Sequence, residues 1–201
     1  RTPNVIVVNS SLSVKSIKEL IALAKAKPGE LNYASSGTGA SNHLAAELFK
    51  TMAGIDMVRV SYRGGGPALT ALIAGQVQLM FNTPGGVAPH VKSGKLRALA
   101  VTSAQPTALA PGLPTMAASG LAGYESGIIY GAWAPAKTPE AVIRRLNQEF
   151  VRVLSQADVK EKLFNAGADA VGSTPDEFAA TVKSEIARMG KPIKDAGIRA
   201  N

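Results

Sequence analysis

Cysteine is missing from the 201 residues, and its absence excludes disulfides, thiolate metal ligands and thiol nucleophiles together. Histidine is scarce. Only His43 and His90 occur, neither with carboxylates placed beside it, so no metal site is expected. Aromatic residues make up 5% and there is no dense basic run, which removes the charged, base-stacking surface that nucleic-acid binding requires. The apolar runs, such as residues 5–8 and 96–101, are far too short to cross a bilayer, and no charged-then-apolar leader stands before them. The chain is accordingly expected to be soluble, any export signal having been removed or never present.

What is present is ordinary globular material, 46% hydrophobic and 18% charged, enough for a real core in one large domain or two small ones. Lys and Arg outnumber Asp and Glu by 22 to 14, a formal charge of +8. The basic residues are spread along predicted helices and turns, Lys15, Lys25, Lys92 and Arg144 among them. That spacing reads as solvated helix faces with weak steering of an anionic ligand.

Short β-rich runs alternate with helical patterns, the signature of an α/β fold with a largely parallel sheet. Strands are expected at residues 4–8, 31–34, 57–60, 77–81 and 96–101. The first helix spans residues 16–26 with Ser13 as its N-cap, the second runs over 42–53 and stops at Gly54, and Pro67 suits the first turn of a third that ends at Gly75. Residues 104–123 are rich in proline and glycine and read as a connection with one helical turn near 115–118, a plausible domain crossing. Beyond it residues 127–134 look strand-like, and Thr138-Pro-Glu opens a long amphipathic helix. Another helix spans residues 158–166, and Thr174-Pro-Asp-Glu caps a last one running to about Lys194. Tyr130 and Trp133 are expected to be core residues rather than a stacking platform.

The most informative stretch is Asn32-Tyr-Ala-Ser-Ser-Gly-Thr-Gly-Ala-Ser-Asn-His43, a strand end passing through a hydroxyl- and glycine-rich loop into a helix. A helix start leaves its first N–H groups unpaired and carries partial positive charge, so such a turn cradles an anion. Two further turns of this kind follow, around Arg63-Gly-Gly-Gly and Asn82-Thr-Pro-Gly-Gly, and in a parallel sheet they gather at one edge. Gly37-Thr-Gly39 begins like a dinucleotide fingerprint, but Asn42 stands where its third glycine belongs and no phosphate-loop lysine occurs. A nucleophile elbow fails because Gly39-Ala-Ser41-Asn-His43 ends in histidine. Ser41 and His43, two apart at a helix start, also point differently. No enzyme, cofactor or nucleotide is therefore expected. His43 is expected to pack under the loop or bond a neighbouring backbone group, and His90 to lie at a helix end. Arg63 suits two readings equally, a fork reaching a ligand carboxylate or a solvated or clamping turn residue.

Taken in order, Tyr33-Ala-Ser-Ser-Gly-Thr-Gly, His43-Leu-Ala-Ala-Glu-Leu, Val60-Ser-Tyr-Arg-Gly-Gly-Gly-Pro, Gly75-Gln-Val-Gln-Leu-Met-Phe, Gly94-Lys-Leu-Arg-Ala-Leu-Ala-Val-Thr and Trp133-Ala-Pro-Ala-Lys-Thr-Pro resemble the extracytoplasmic solute receptors of tripartite tricarboxylate transporters, also called Bug receptors. The resemblance covers essentially the whole chain. It implies a type II periplasmic binding protein-like fold, two hinged lobes that trap a small carboxylate and deliver it to membrane transporter subunits without catalysis. The second-lobe ligand loop maps onto Ser35, Ser36, Gly37, Thr38, Gly39, Ala40 and Ser41, with Arg63 and Asn82 in adjoining turns. Family members carry a preceding segment with the first-lobe loop, and nothing here corresponds to it. On this mapping residues 1–122 form one complete lobe, the second, and residues 123–201 the C-terminal portion of the first. An unpaired apolar edge at residues 127–134 is then expected to drive homo-oligomer formation or rearrangement. The other reading of the same fold is a ligand-sensing regulatory module, which would call for an attached DNA-binding helix pair that the sequence does not contain.

Overall fold

The computed structural model describes residues 1–195 and 197–198. The chain enters through a short strand β1 (Thr2–Pro3) and turns into β2 (Val5–Asn9), which is buried at every position. Val5 and Val7 face one core cluster and Ile6 and Val8 the other, as the alternation of a strand covered on both faces requires. Three βα units follow the helix α1 (Ile17–Ala26): β3 (Asn32–Ser35) with α2 (Ser41–Ala53), β4 (Val58–Ser61) with α3 (Gly65–Ile73), and β5 (Leu79–Asn82) with α4 (Pro84–Lys92). The strand β6 (Leu96–Val101) completes a sheet of order β4-β3-β5-β2-β6.

β3 is parallel to both β4 and β5, but β2 runs antiparallel to both of its neighbours, β5 and β6, so the expectation of a largely parallel sheet needs one correction. An all-apolar strand carries no mark of its direction. β2 is set by the crossing that feeds it, because its first residue Val5 lies opposite Asn82, the last residue of β5. The registers also place Ser35 beside Ser61 at the ends of β3 and β4.

One face of the sheet is covered by α1 and α2, with Leu20, Phe49 and Tyr124 fully enclosed and the Phe49 and Phe81 rings 6.0 Å apart. Burying each such side chain contributes roughly 1.5–3 kcal/mol. The other face is covered by α3 and α4 through Ala68, Leu72 and Val87. Ser16, not Ser13, caps α1: its side chain accepts from the Glu19 N–H at 3.2 Å while Glu19 Oε2 accepts from Lys15 N–H at 2.8 Å. Pro67 stands third in α3, whose first turn is supplied by Gly65 and Gly66. The expected helical turn appears, with Ser119 N–H donating to Thr115 O at 3.0 Å.

After residue 123 the chain forms β7 (Gly127–Ile128), α5 (Glu140–Leu154), α6 (Ala157–Asn165) and α7 (Pro175–Asp195). β7 pairs with β1 alone, so the strand expected over residues 127–134 is only two residues long. With no further neighbour strand among the described residues, its continuation lies open. Tyr130 and Trp133 are 68% and 71% exposed rather than buried, which overturns their expected core role. Trp133 instead meets the Phe178 ring at 5.1 Å across a groove of about 910 Å³. Pro139 rather than Thr138 precedes the first residue of α5, whereas Thr174 and Glu177 form the expected capping box on α7. α7 then returns to the sheet unit, where Met189 joins the core beside α2.

Candidate functional site

Because β4, β3 and β5 are adjacent and parallel, their carboxyl ends and the starts of α2, α3 and α4 share one edge of the sheet. None of these three helices receives a side-chain cap, whereas α1 is capped by Ser16. α1 follows the reversed strand β2 and so begins at the opposite edge. The free first-turn N–H groups are thus concentrated where three loops meet, each helix adding partial positive charge.

The β3–α2 loop is shaped by its own polar groups. Asn42 Oδ1 accepts from the main-chain N–H of Ser36 at 3.2 Å and from its hydroxyl at 3.1 Å, and His43 Nδ1 accepts from the Gly39 N–H at 3.1 Å. Gly37 and Gly39 have φ of 143° and 73°, a region that favours glycine, and a Cβ built on either meets nothing within 4 Å. The loop therefore opens onto free space. The N–H groups of Gly37 and Thr38 have no partner among the described residues.

Arg59 is the residue that sequence reasoning missed. It sits in β4, and its guanidinium reaches under the loop: Nε donates to Ser35 Oγ at 3.1 Å, and Nη2 to Thr38 Oγ1 at 2.9 Å and Ser61 Oγ at 3.3 Å. Nη1 lies 3.1 and 3.5 Å from the two ring nitrogens of His43. The Gly39 bond fixes Nδ1 as acceptor and puts the ring proton on Nε2. Burial, and then the Arg59 charge, hold the His43 pKa below its ordinary value, so the ring is neutral at pH 7. A single charged residue in β4 was the available signal.

The other expected site residues divide. Residues 35–41 form the loop as mapped, with Ser35 fully buried beneath it and Thr38 and Gly39 exposed above. Ser41 heads α2, but His43 Nδ1 is taken by Gly39, which leaves Ser41 without a base. Arg63 is exposed in the β4–α3 turn and makes no side-chain hydrogen bond among the described residues, so the clamping role is not seen. Asn82 ends β5 at the same edge. Its Oδ1 accepts from Thr83 N–H at 2.8 Å, while its amide nitrogen has only Met80 Sδ at 3.9 Å. His90 lies in the last turn of α4, at the far end from the loops. Among the described residues no group of three or more His, Asp or Glu side chains is placed to hold a metal ion.

The family model described as "Tripartite tricarboxylate transporter family receptor" matches residues 1–198. Among solved structures, the chain is similar to Rpa4515 of R. palustris with adipate, at 38% identity and a TM-score of 0.86 over 98% of this chain and 66% of that one. It is likewise similar to the periplasmic binding protein BugD, at 30% identity and a TM-score of 0.85 over 100% of this chain and 68% of that one. A third is MatC of Rhodopseudomonas palustris with bound malate, at 28% identity and a TM-score of 0.78 over 96% and 66% of the two chains. The chain spans 60% of the length of the first curated relatives that it matches.

Proposed function

The chain belongs to the tripartite tricarboxylate transporter receptor family, one of solute receptors rather than enzymes, and on that premise we propose that it captures a small di- or tricarboxylate for a membrane transporter. The observation that carries the reading is the placement of three uncapped helix starts at one sheet edge, with Arg59, a half-buried cation whose side-chain partners are all neutral, beneath the loop that leads into α2. The ligand carboxylate is taken above residues 35–41 by main-chain N–H groups and by the Thr38 and Ser41 hydroxyls, with Arg63 and Asn82 completing the adjoining turns. Adipate in Rpa4515 and malate in MatC are of the chemical class such a cradle suits. A periplasmic location accords with the family, and no described helix is long and apolar enough to cross a membrane.

The same reading assigns residues 1–122 to the second ligand lobe and residues 123–201 to the C-terminal portion of the first. The pairing of β1 with β7 supports it, since the two strands lie side by side where the chain enters and leaves the second unit. A titration with adipate, malate and citrate tests the function. Binding is expected to move the amide resonances of Gly37, Thr38 and Gly39 and to raise the melting temperature. Unmoved resonances in that loop with all three anions would sink the receptor reading.

A further inference from the structure

We propose that Arg59 is the half-buried counter-charge of the carboxylate site: fixed beneath the β3–α2 loop by uncharged partners, it gives the cradle a fixed positive charge while strapping that loop to the end of β4. The inference rests on the receptor reading above and deepens it.

The guanidinium spends its donors on Ser35, Thr38 and Ser61, all hydroxyls. Thr38 belongs to the β3–α2 loop and Ser61 ends β4, so one side chain ties that loop to the end of β4 at the ligand edge. None of the ion pairs among the described residues includes Arg59. Glu47, one turn along α2 from His43, accepts from the Tyr33 hydroxyl and pairs with Lys50 at 3.3 Å, so its charge is already matched. His43 contributes no charge of its own while its Nδ1 accepts from Gly39.

A cation is unfavourable at a helix N-terminus, where the macrodipole is positive. Here the two meet, with the α2 start on one side and the guanidinium on the other, and among the described residues no acidic side chain pairs with the guanidinium. An incoming carboxylate relieves that repulsion and gains from both sources. Because Nε and Nη2 are held by the three hydroxyls beneath the loop, Arg59 acts through the loop and through its field rather than by direct grasp. It is a positioning and charge-setting residue. Lysine would keep the charge and lose the fork that reaches three hydroxyls.

The test is adipate affinity at low and at high ionic strength for wild type, Arg59→Gln and Arg59→Lys, with thermal melts confirming that each is folded. Wild-type affinity is expected to fall as salt rises. Arg59→Gln should bind about tenfold more weakly at low salt and respond much less to added salt, as loss of a site charge requires. Arg59→Lys should retain the wild-type salt response with reduced affinity, reporting the lost strap alone. An Arg59→Gln chain that keeps the full salt dependence, whatever its affinity, overturns the inference and leaves the receptor reading intact. A wild type that binds adipate at neither salt concentration overturns both.

Discussion

The hydroxyl of Thr102 lies 2.7 Å from the main-chain nitrogen of Asn4, and from that position it also donates to the carbonyl of Ser126 at 2.6 Å. Main-chain bonds reinforce the arrangement, Thr102 N–H to Asn4 O at 2.8 Å and Ser126 N–H to Thr102 O at 2.9 Å. Asn4 precedes β2, Thr102 follows β6 and Ser126 precedes β7, so one fully buried threonine joins the strand entering the sheet to both chain segments that leave it. Thr102→Val keeps the shape and removes the hydroxyl, stranding a buried N–H and a carbonyl. Each unsatisfied group costs about 1–3 kcal/mol. The valine variant is expected to unfold at clearly lower urea, and Thr102→Ser to recover most of the loss; equal midpoints for valine and wild type would refute the clamp.

Two glycines are expected to respond with opposite signs. Gly39 has φ of 73° and open space where a Cβ would stand, so Gly39→Ala meets no clash and carries only the left-handed backbone penalty, about 1 kcal/mol or slightly more. Asparagine, which tolerates that region, should cost less than alanine. Gly190 lies inside α7, also with nothing within 4 Å of an added Cβ, and Gly190→Ala should stabilise by about 0.5–1 kcal/mol. Denaturant midpoints of the three variants decide. A Gly39→Ala protein as stable as wild type would mean that the loop does not hold the turn described.

How much of this was legible beforehand follows from how local each feature is. The loop from Ser35 to Ser41 and the helix after it are set by neighbouring residues, glycines for the turn and unpaired N–H groups at the start of α2, and both were read correctly. The direction of β2 was not legible, because Val5-Ile-Val-Val reads the same in either sense. Arg59 lies 24 residues from Ser35 in sequence and meets it only through the parallel register that sets Ser35 against Ser61. Trp133 was misjudged for a related reason. Its surroundings carry apolar residues suited to a core, yet the described residues around it, Phe178 included, leave it 71% exposed.

His43 makes the loop sensitive to acid. Burial and the Arg59 charge lower its pKa, with Lys50 adding to the effect and Glu47 opposing it. Above the ordinary histidine pKa of about 6.5 the ring is neutral both folded and unfolded, and it adds no pH dependence. As pH falls below that value the unfolded chain binds a proton that the folded one resists, so stability drops with acidification. Protonation also removes the acceptor for the Gly39 N–H. Melting temperature is expected to fall below about pH 6.5, and carboxylate affinity only at lower pH, where the folded ring takes up its proton. His43→Asn, whose side-chain oxygen replaces the acceptor without titrating, should flatten that part of the profile. A variant with the wild-type acid profile would place the sensitivity elsewhere.

The groove beside Trp133 leads to a prediction about assembly. Tyr130 and Trp133 are joined there by Leu146, Phe150 and Phe178, and Phe150 is 50% exposed. α5 carries its apolar residues along one side yet buries none, although an amphipathic helix gains its stability chiefly by packing that face. An apolar surface of this extent left in water favours association, since burying it recovers about 25 cal/mol per Å². The 201-residue chain is expected to self-associate through this face in a concentration-dependent manner. Light scattering should report a mass that rises with concentration and falls on Trp133→Ser with Phe150→Ser. The sheet unit lies apart from the groove, so the doubly substituted chain should keep its core and its response to adipate. A monodisperse wild-type monomer over the same concentrations would refute self-association through this face.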